Sequence, residues 1–337
     1  MPNSYSVNRK AFAVSIGALV AHPHVVRATG GLEIGGRVNE PAVRVLLASG
    51  SNIPIPKQLD TWHFLWNGRS YRGAFAFVPL PEGNKGLIDI LPLDSYLYGI
   101  TETEVSTEWP GEVQKAQAIL ARTYVTLKIG ADKPYDVLAS EKYQNYGGIE
   151  SESVERRSAV DTTAGRVVIY EKAPAIVAFS ACCGGRTADS SDMGTSGAPY
   201  LQSFPDPHCV GTRYHHWTVR VPYAALARRL DLERIGTLRS VELRNFGTGL
   251  RPRQLGFAGT AATIEIETAA FRSAADSKTV HSTFLHSVTP AGEDLTVAGN
   301  GFGHGVGMCQ WGARVMAAGG ASASEIIAFY FPKTALN

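Results

Sequence analysis

Between residues 42 and 93 short β-branched or aromatic runs alternate with turn residues: "AVRVLLAS" (42–49), "TWHFLWNGRSYRGAFAFVPL" (61–80) and "KGLIDILPL" (85–93). The period of two predicts half-buried strands, and Asn67-Gly68 between two such runs predicts a tight hairpin, so the region reads as a meander. From Pro110 to Ile129 the apolar spacing changes. Val113, Ala116, Leu120, Tyr124 and Leu127 fall on one helical stripe, with Gly130 as the stop. Strand-like runs return at "GRVVIY" (165–170), "AIVAFSA" (175–181), "HHWTVRVP" (215–222), "LRSVELRN" (238–245) and "ATIEIET" (262–268). A polar, Gly-rich excursion from Gly184 to Gly211 interrupts them and reads as a binding loop. The C-terminus predicts a Gly-rich strand followed by two short helices.

No low-complexity linker divides the 337 residues, so the expectation is one large α+β unit with lobes, built mainly of antiparallel sheets around one long helix. Hydrophobic residues make up 44%, charged residues 18%, and the formal charge is +2. There is no basic tract able to neutralise a row of phosphates, which argues against nucleic acid as a partner. At the N-terminus Arg9 and Lys10 precede an apolar run from Ala11 to Ala21 and then small residues. Residues 1–28 therefore have the pattern of a secretory signal, with a buried strand as the alternative. The run is shorter than the roughly 20 residues of a spanning helix.

Four glutamates, Glu102, Glu104, Glu108 and Glu112, surround the start of the long helix. Glu108 and Glu112 suit a helix N-terminus and its dipole. Glu104 precedes the helix by over a turn, and apolar Val105 and Trp109 would desolvate its carboxyl and raise its pKa, as a general acid requires. The pattern alone leaves capping and catalysis open. Lys115 and Arg122, seven residues apart, share an angular face of the helix.

The alternating glycines 299, 301, 303, 305 and 307 would leave one face of a strand bare, so that a bulky chain or another backbone could lie against it, with a tight strand packed on a helix as the alternative. They contain no phosphate-binding loop. Cys182, Cys183, His208, Cys209, His215 and His216 form a third cluster, for which zinc, a disulfide from Cys182 or Cys183 to Cys209, and plain structural thiols are the alternatives. A nucleophilic Cys309 or Cys183 served by His304 is a further reading.

Three of these stretches together resemble the SpoIID family of cell-wall proteins: "LPLDSYLYGITETEVSTEWPGEVQKAQAILARTYV", "FSACCGGRTADSSDMGTSGAPYLQSFPDPHC", and "GFGHGVGMCQWGARVMA" with the terminal "FYFPKT". The resemblance runs from about residue 40 to the C-terminus. It implies a SpoIID-like domain over 29–337, with an N-terminal β region (40–100), a catalytic-groove helix (110–129), a β region with a loop insertion (160–290) and a Gly-rich C-terminal motif (299–337). It further implies a lytic transglycosylase that cleaves peptidoglycan glycan strands stripped of their peptides, acts outside the cytoplasm and has an amidase as a possible partner. The family's catalytic glutamate falls on Glu104. Its substrate contacts fall on Lys115, Gln117, Arg122 and Tyr124 in the helix, on Tyr146, and on His304 and Gln310 near the C-terminus. Members that bind zinc carry cysteines and a histidine where this chain has Leu138, Tyr143 and Lys142, so no cofactor is expected. Val105 and Ser106 replace the usual Met-Pro, and Cys309 replaces a customary Ser.

With one carboxyl, the implied chemistry is protonation of the glycosidic oxygen by Glu104, which then takes the proton from the sugar's own 6-hydroxyl. A hydrolase would need a second carboxylate, for which Glu102 is the nearest candidate. A noncatalytic peptidoglycan-binding or amidase-stimulating module is the alternative.

Overall fold

The alternation at residues 42–92 produces an antiparallel sheet. In the computed structural model, which describes residues 40–100, 105–130, 133–139, 145–193 and 198–337, β1 (Ala42–Gly50) pairs with β6 (Lys85–Pro92), placing Val43 opposite Leu91 and Val45 opposite Asp89. Two short strands, β2 (Lys57–Gln58) and β3 (His63–Trp66), lead into a hairpin with β4 (Arg69–Arg72). Asn67 and Gly68 both take positive φ, 48° and 75°, as its two-residue turn requires. β5 (Ala74–Pro79) adds to the free edge of β6, and β7 (Val137–Leu138) adds in parallel to β1. Segment 1–28, Glu102 and Glu104 lie outside the described residues.

These strands belong to the first of two compact units, formed by residues up to Glu108 and by Gln117–Val167. Its helices are α1 (Leu93–Tyr98), the last ten residues of α2 (Gly111–Thr126) and α3 (Val154–Thr162). The sequence pattern extended β6 to residue 93, but Pro92 starts a helix there, its fixed φ and missing N–H suiting a helix entry. Ser153 caps α3 by accepting from the Arg156 N–H at 3.1 Å, a start signal that the periodicity did not reveal. Val43, Val45, Phe64, Leu91, Tyr96 and Val125 form the core. Each fully buried side chain of this size contributes about 1.5–3 kcal/mol relative to exposure.

The second unit holds Trp109–Ala116 and Val168–Asn337. Two small sheets open it: β8 (Val168–Tyr170) with β9 (Ala173–Pro174) and the terminal β18 (Ala335–Leu336), and β10 (Phe179–Ser180) in parallel with β17 (Met308–Cys309). β11 (His216–Pro222) pairs with β16 (Asp294–Asn300), which pairs in turn with β15 (Leu285–Ala291). A meander of β12 (Leu238–Phe246), β13 (Pro252–Gly259) and β14 (Thr263–Glu267) lies alongside α4 (Tyr223–Arg229) and α5 (Thr268–Ala274) around a core of Trp217, Leu226, Phe257, Phe271 and Val297. The chain closes with the two expected helices, α6 (Gln310–Ala318) and α7 (Ala323–Tyr330), the latter with a capping box between Ser322 and Glu325. Fold class is thus α+β with mainly antiparallel pairing, as expected.

One strand reading is corrected. Strand β16 stops at Asn300, and Gly301, Gly303, Gly305 and Gly307 all take positive φ, between 71° and 101°. That backbone is a winding segment, not a strand with a bare face. A backbone does lie against it: a Cβ on Gly307 would come within 2.0 Å of the Ala178 carbonyl oxygen. The alternation of glycine arises because every second residue needs the left-handed region.

Candidate functional site

Helix α2 carries four of the residues assigned to substrate. Lys115 is half-buried and donates to Glu112 Oε1 at 2.7 Å, while Glu112 Oε2 accepts from the Ala323 N–H at 2.8 Å at the start of α7. Glu112 is therefore more than a solvated charge: Lys115 and the Ala323 N–H hold its carboxyl below the usual carboxylate range. Gln117 is buried, and Tyr124 is half-buried with the Lys128 ammonium 5.3 Å above its ring. Arg122 shares the angular face of Lys115 but not its exposure. Its guanidinium is buried, bonded to Asp94 Oδ1 at 2.8 and 3.0 Å and to the carbonyls of Val160 and Thr163 at 3.1 and 2.8 Å. It adds a charged donor to the last carbonyls of α3, which also accept from the N–H groups of Thr163 and Arg166.

Tyr146 is also interior. Its hydroxyl donates to Asp89 Oδ2 at 2.9 Å and its ring lies against Tyr71 and Tyr96. Asp89 is fully buried, with Oδ1 lacking a hydrogen-bond partner, and burial pushes its carboxyl well above the usual range. Immediately after the glutamate assigned to catalysis, Val105 is buried and its carbonyl accepts from Arg156 Nη2 at 3.3 Å. Ser106 Oγ accepts from the Glu108 N–H at 3.3 Å, a side-chain turn in the place of the usual Pro. Glu104 itself lies outside the described residues.

In the second unit, His304 engages the fold through both ring nitrogens: Nε2 donates to the Phe179 carbonyl at 2.9 Å and Nδ1 accepts from the Val306 N–H at 3.0 Å. This fixes the neutral tautomer, and burial lowers its pKa to about 4. Gln310 is buried as the first residue of α6. A cluster that the pattern did not single out lies nearby. Trp109 and Trp311 meet edge to face at 5.0 Å, Tyr214 lies 6.2 Å from Trp311, and the Arg314 guanidinium sits 5.5 and 4.9 Å from the two indoles. All four side chains are half-buried, so the rings remain partly open to solvent. Trp109 was legible only as a desolvating neighbour of Glu104.

The thiols gather without the histidines. Cys183 Sγ lies 3.5 Å from Cys209 Sγ and donates to Asp206 Oδ2 at 3.1 Å, and the Cys183 N–H donates to Cys309 Sγ at 3.2 Å. His216 bonds Asn300, His208 meets Phe329 edge to face, and His215 lies beside Gly185. Cys183 and Cys309 are fully enclosed, which denies them the access a nucleophile needs. The excursion from Gly184 to Gly211 thus has a packing role: its buried Thr187, Tyr200, Leu201 and Asp206 anchor it.

Residues 82–170 match the stage II sporulation protein family, SpoIID. A protein of Brachyspira hyodysenteriae is 32% identical over 276 residues, covering 80% of this chain and 72% of that one. Stage II sporulation protein D of Bacillus amyloliquefaciens is 25% identical over 273 residues, 75% of this chain and 76% of that protein. The chain belongs to the SpoIID family. The amidase enhancer of Bacillus subtilis is 28% identical over 288 residues, and this chain spans 40% of its length.

The matched SpoIID segment contains Glu104, Lys115, Gln117, Arg122, Tyr124 and Tyr146, while His304 and Gln310 lie beyond it. Of the positions where zinc-binding SpoIID members carry ligands, Leu138 sits in β7 opposite Leu46, whereas Lys142 and Tyr143 lie outside the described residues. Neither leucine nor tyrosine replaces a cysteine thiolate as a zinc ligand in such a site.

Proposed function

We propose that the protein acts on the cell wall as a lytic transglycosylase, cleaving peptide-stripped glycan strands between MurNAc and GlcNAc. Glu104 donates its proton to the glycosidic oxygen as the bond from C1 breaks. The resulting carboxylate then takes the proton of the same MurNAc unit's 6-hydroxyl as that oxygen closes on C1. The products are a GlcNAc end and a 1,6-anhydro-MurNAc end, with no water consumed, so one carboxyl suffices where a hydrolase needs two.

The observation that carries this reading is the half-open cluster of Trp109, Trp311 and Tyr214, which begins five residues after Glu104. Pyranose rings present flat faces of C–H groups, which pack on indole and phenol rings, while Arg314 offers donors to hydroxyls or a carboxylate. Lys115, half-buried on α2, is assigned to the lactyl carboxylate of MurNAc. Gln117, Tyr124 and Gln310 are assigned to orienting the sugar. Arg122, Tyr146 and His304, whose polar atoms already serve the fold, act by holding the segments that carry the site. Segment 1–28 is assigned to export, and neither a nucleic-acid partner nor a cofactor for catalysis is invoked.

Peptide-free glycan strands digested with the pure protein test this directly by mass spectrometry. Anhydro ends from the wild-type chain and none from Glu104→Gln, at unchanged thermal stability, are the expected result. Undiminished cleavage by Glu104→Gln would sink the assignment, and reducing ends in place of anhydro ends would make the protein a hydrolase. The second reading, stimulation of an amidase, draws on the relative named amidase enhancer. It predicts no cleavage by the pure protein but faster stem-peptide release when a cell-wall amidase is added.

A further inference from the structure

Three segments of the chain bring sulfur and oxygen ligands to one buried point of the second unit. Cys183, Asp206, Cys209 and Cys309 each present one ligand atom, and these four atoms lie within 4.8 Å of one another. All four residues are fully enclosed. The 3.5 Å between Cys183 Sγ and Cys209 Sγ is close to the edge of about 3.8 Å in a tetrahedron with metal–sulfur bonds of about 2.3 Å. We propose that Cys183, Asp206, Cys209 and Cys309 bind one structural zinc ion.

The surroundings suit thiolates. Cys309 Sγ accepts from the N–H groups of Cys183 and Gly312, at 3.2 and 3.4 Å, and caps the N-terminus of α6. Cys209 Sγ accepts from the Gly185 N–H at 3.1 Å. Such donors around ligating sulfurs are how proteins stabilise metal–thiolate bonds, and the Tyr330 hydroxyl orients Asp206 in the same way at 2.9 Å. A disulfide between Cys183 and Cys209 would use only two of the four clustered ligand atoms.

Charge points the same way. Three thiolates and a carboxylate around a divalent ion carry a net double negative charge. The Arg251 guanidinium, buried with Nε and Nη1 unpartnered, donates through Nη2 to the Cys183 carbonyl at 2.9 Å. A buried cation of this kind needs a compensating anion, and the metal cluster supplies one. With four protein ligands and no access from solvent the site is closed, which is the structural form of a zinc centre and not the catalytic one. On binding, each thiol that enters the coordination sphere releases its proton. Cys182, the other thiol of the adjacent pair, touches Cys209 and Cys309 but is not among the four residues whose ligand atoms all lie within 4.8 Å of one another.

Full-length protein purified with zinc ions under reducing conditions tests the proposal. Elemental analysis is expected to give one zinc per chain, and cobalt substitution to give the intense visible bands of a tetrahedral thiolate site. Cys209→Ser and Cys309→Ser lose the metal, Asp206→Asn releases it to a competing chelator at least tenfold more readily, and Cys182→Ser keeps it. Should the serine variants not fold, the wild-type metal content and cobalt spectrum still decide. A metal-free chain overturns the site, whether all four thiols titrate freely in denaturant or only two do because Cys183 and Cys209 are joined. Loss of zinc in Cys182→Ser with retention in Cys309→Ser overturns the ligand set. None of these outcomes depends on glycan cleavage, so the zinc site and the transglycosylase reading fail separately.

Discussion

Arg122 and Asp94 form a buried ion pair, with Nη2 and Nε of the guanidinium 2.8 and 3.0 Å from one carboxylate oxygen. The remaining donors of Arg122 reach backbone carbonyls of Val160, Thr163 and Arg166, so a single side chain joins α1, α2 and the end of α3. Removing one partner of such a pair leaves an uncompensated buried charge. Arg122→Ala is expected to lower unfolding free energy by about 3–5 kcal/mol in a urea titration. Arg122→Lys recovers only part of this, because an ammonium cannot match the guanidinium's fork of donors. Loss of glycan affinity with full stability would instead make Arg122 a direct sugar contact.

Asp89 gives the opposite sign. Its carboxyl is fully buried with Tyr146 as a hydrogen-bond partner, and desolvation raises its pKa well above the ordinary value. In the folded chain the protonated form is favoured, so stability is fully present below the unfolded pKa and falls as pH rises toward the folded one. Asp89→Asn keeps the acceptor for Tyr146 and removes the ionisation. A melting temperature a few degrees higher at neutral pH, with the gain shrinking in acid, is the expected outcome by calorimetry.

His304 makes stability fall in mild acid. Its folded pKa of about 4 lies below the unfolded value near 6.5, so the unfolded chain binds more protons between these limits. The contribution is complete above about pH 6.5 and is lost as pH falls toward 4. It amounts to about 2 kcal/mol after allowance for partial exposure. Denaturant titrations across this range follow the loss, and His304→Gln should flatten the profile there.

The aromatic cluster separates binding from folding. Trp109→Ala and Trp311→Ala each remove a half-buried ring, and each should weaken binding of peptide-free glycan severalfold or more. Because the two indoles touch, the double variant should lose less than the sum of the single losses. Equilibrium binding to soluble glycan fragments measures this, and unchanged affinity in both single variants would detach the cluster from the substrate.

The hairpin at Asn67-Gly68 and helix α2 were legible because each depends on local chemistry, a turn type in one case and a helical stripe in the other. The Gly-rich run differs from the expected strand because alternation of a small residue is the same in a strand as in a segment that returns to positive φ at every second position. Lys115 and Arg122 lie on one angular face, as their spacing requires, yet what covers that face differs along the helix, and coverage is a tertiary property. The thiol cluster was half visible: Cys183 and Cys209 could be grouped by proximity in sequence, whereas Cys309 joins them from 126 residues away. Asp206 carries no sequence signal that separates it from an ordinary loop carboxylate.

The glycines from 301 to 307 also bear on how such a protein can change. A methyl group at Gly307 meets a carbonyl and one at Gly305 meets the Arg251 guanidinium, in backbone that already disfavours a side chain by about 1–2 kcal/mol. Every second position of the run is therefore closed to mutation. New preferences for one sugar or another must be found in residues whose side chains have room to vary, such as Trp109, Tyr214, Trp311 and Arg314. The motif most easily recognised in the sequence is the part least able to evolve.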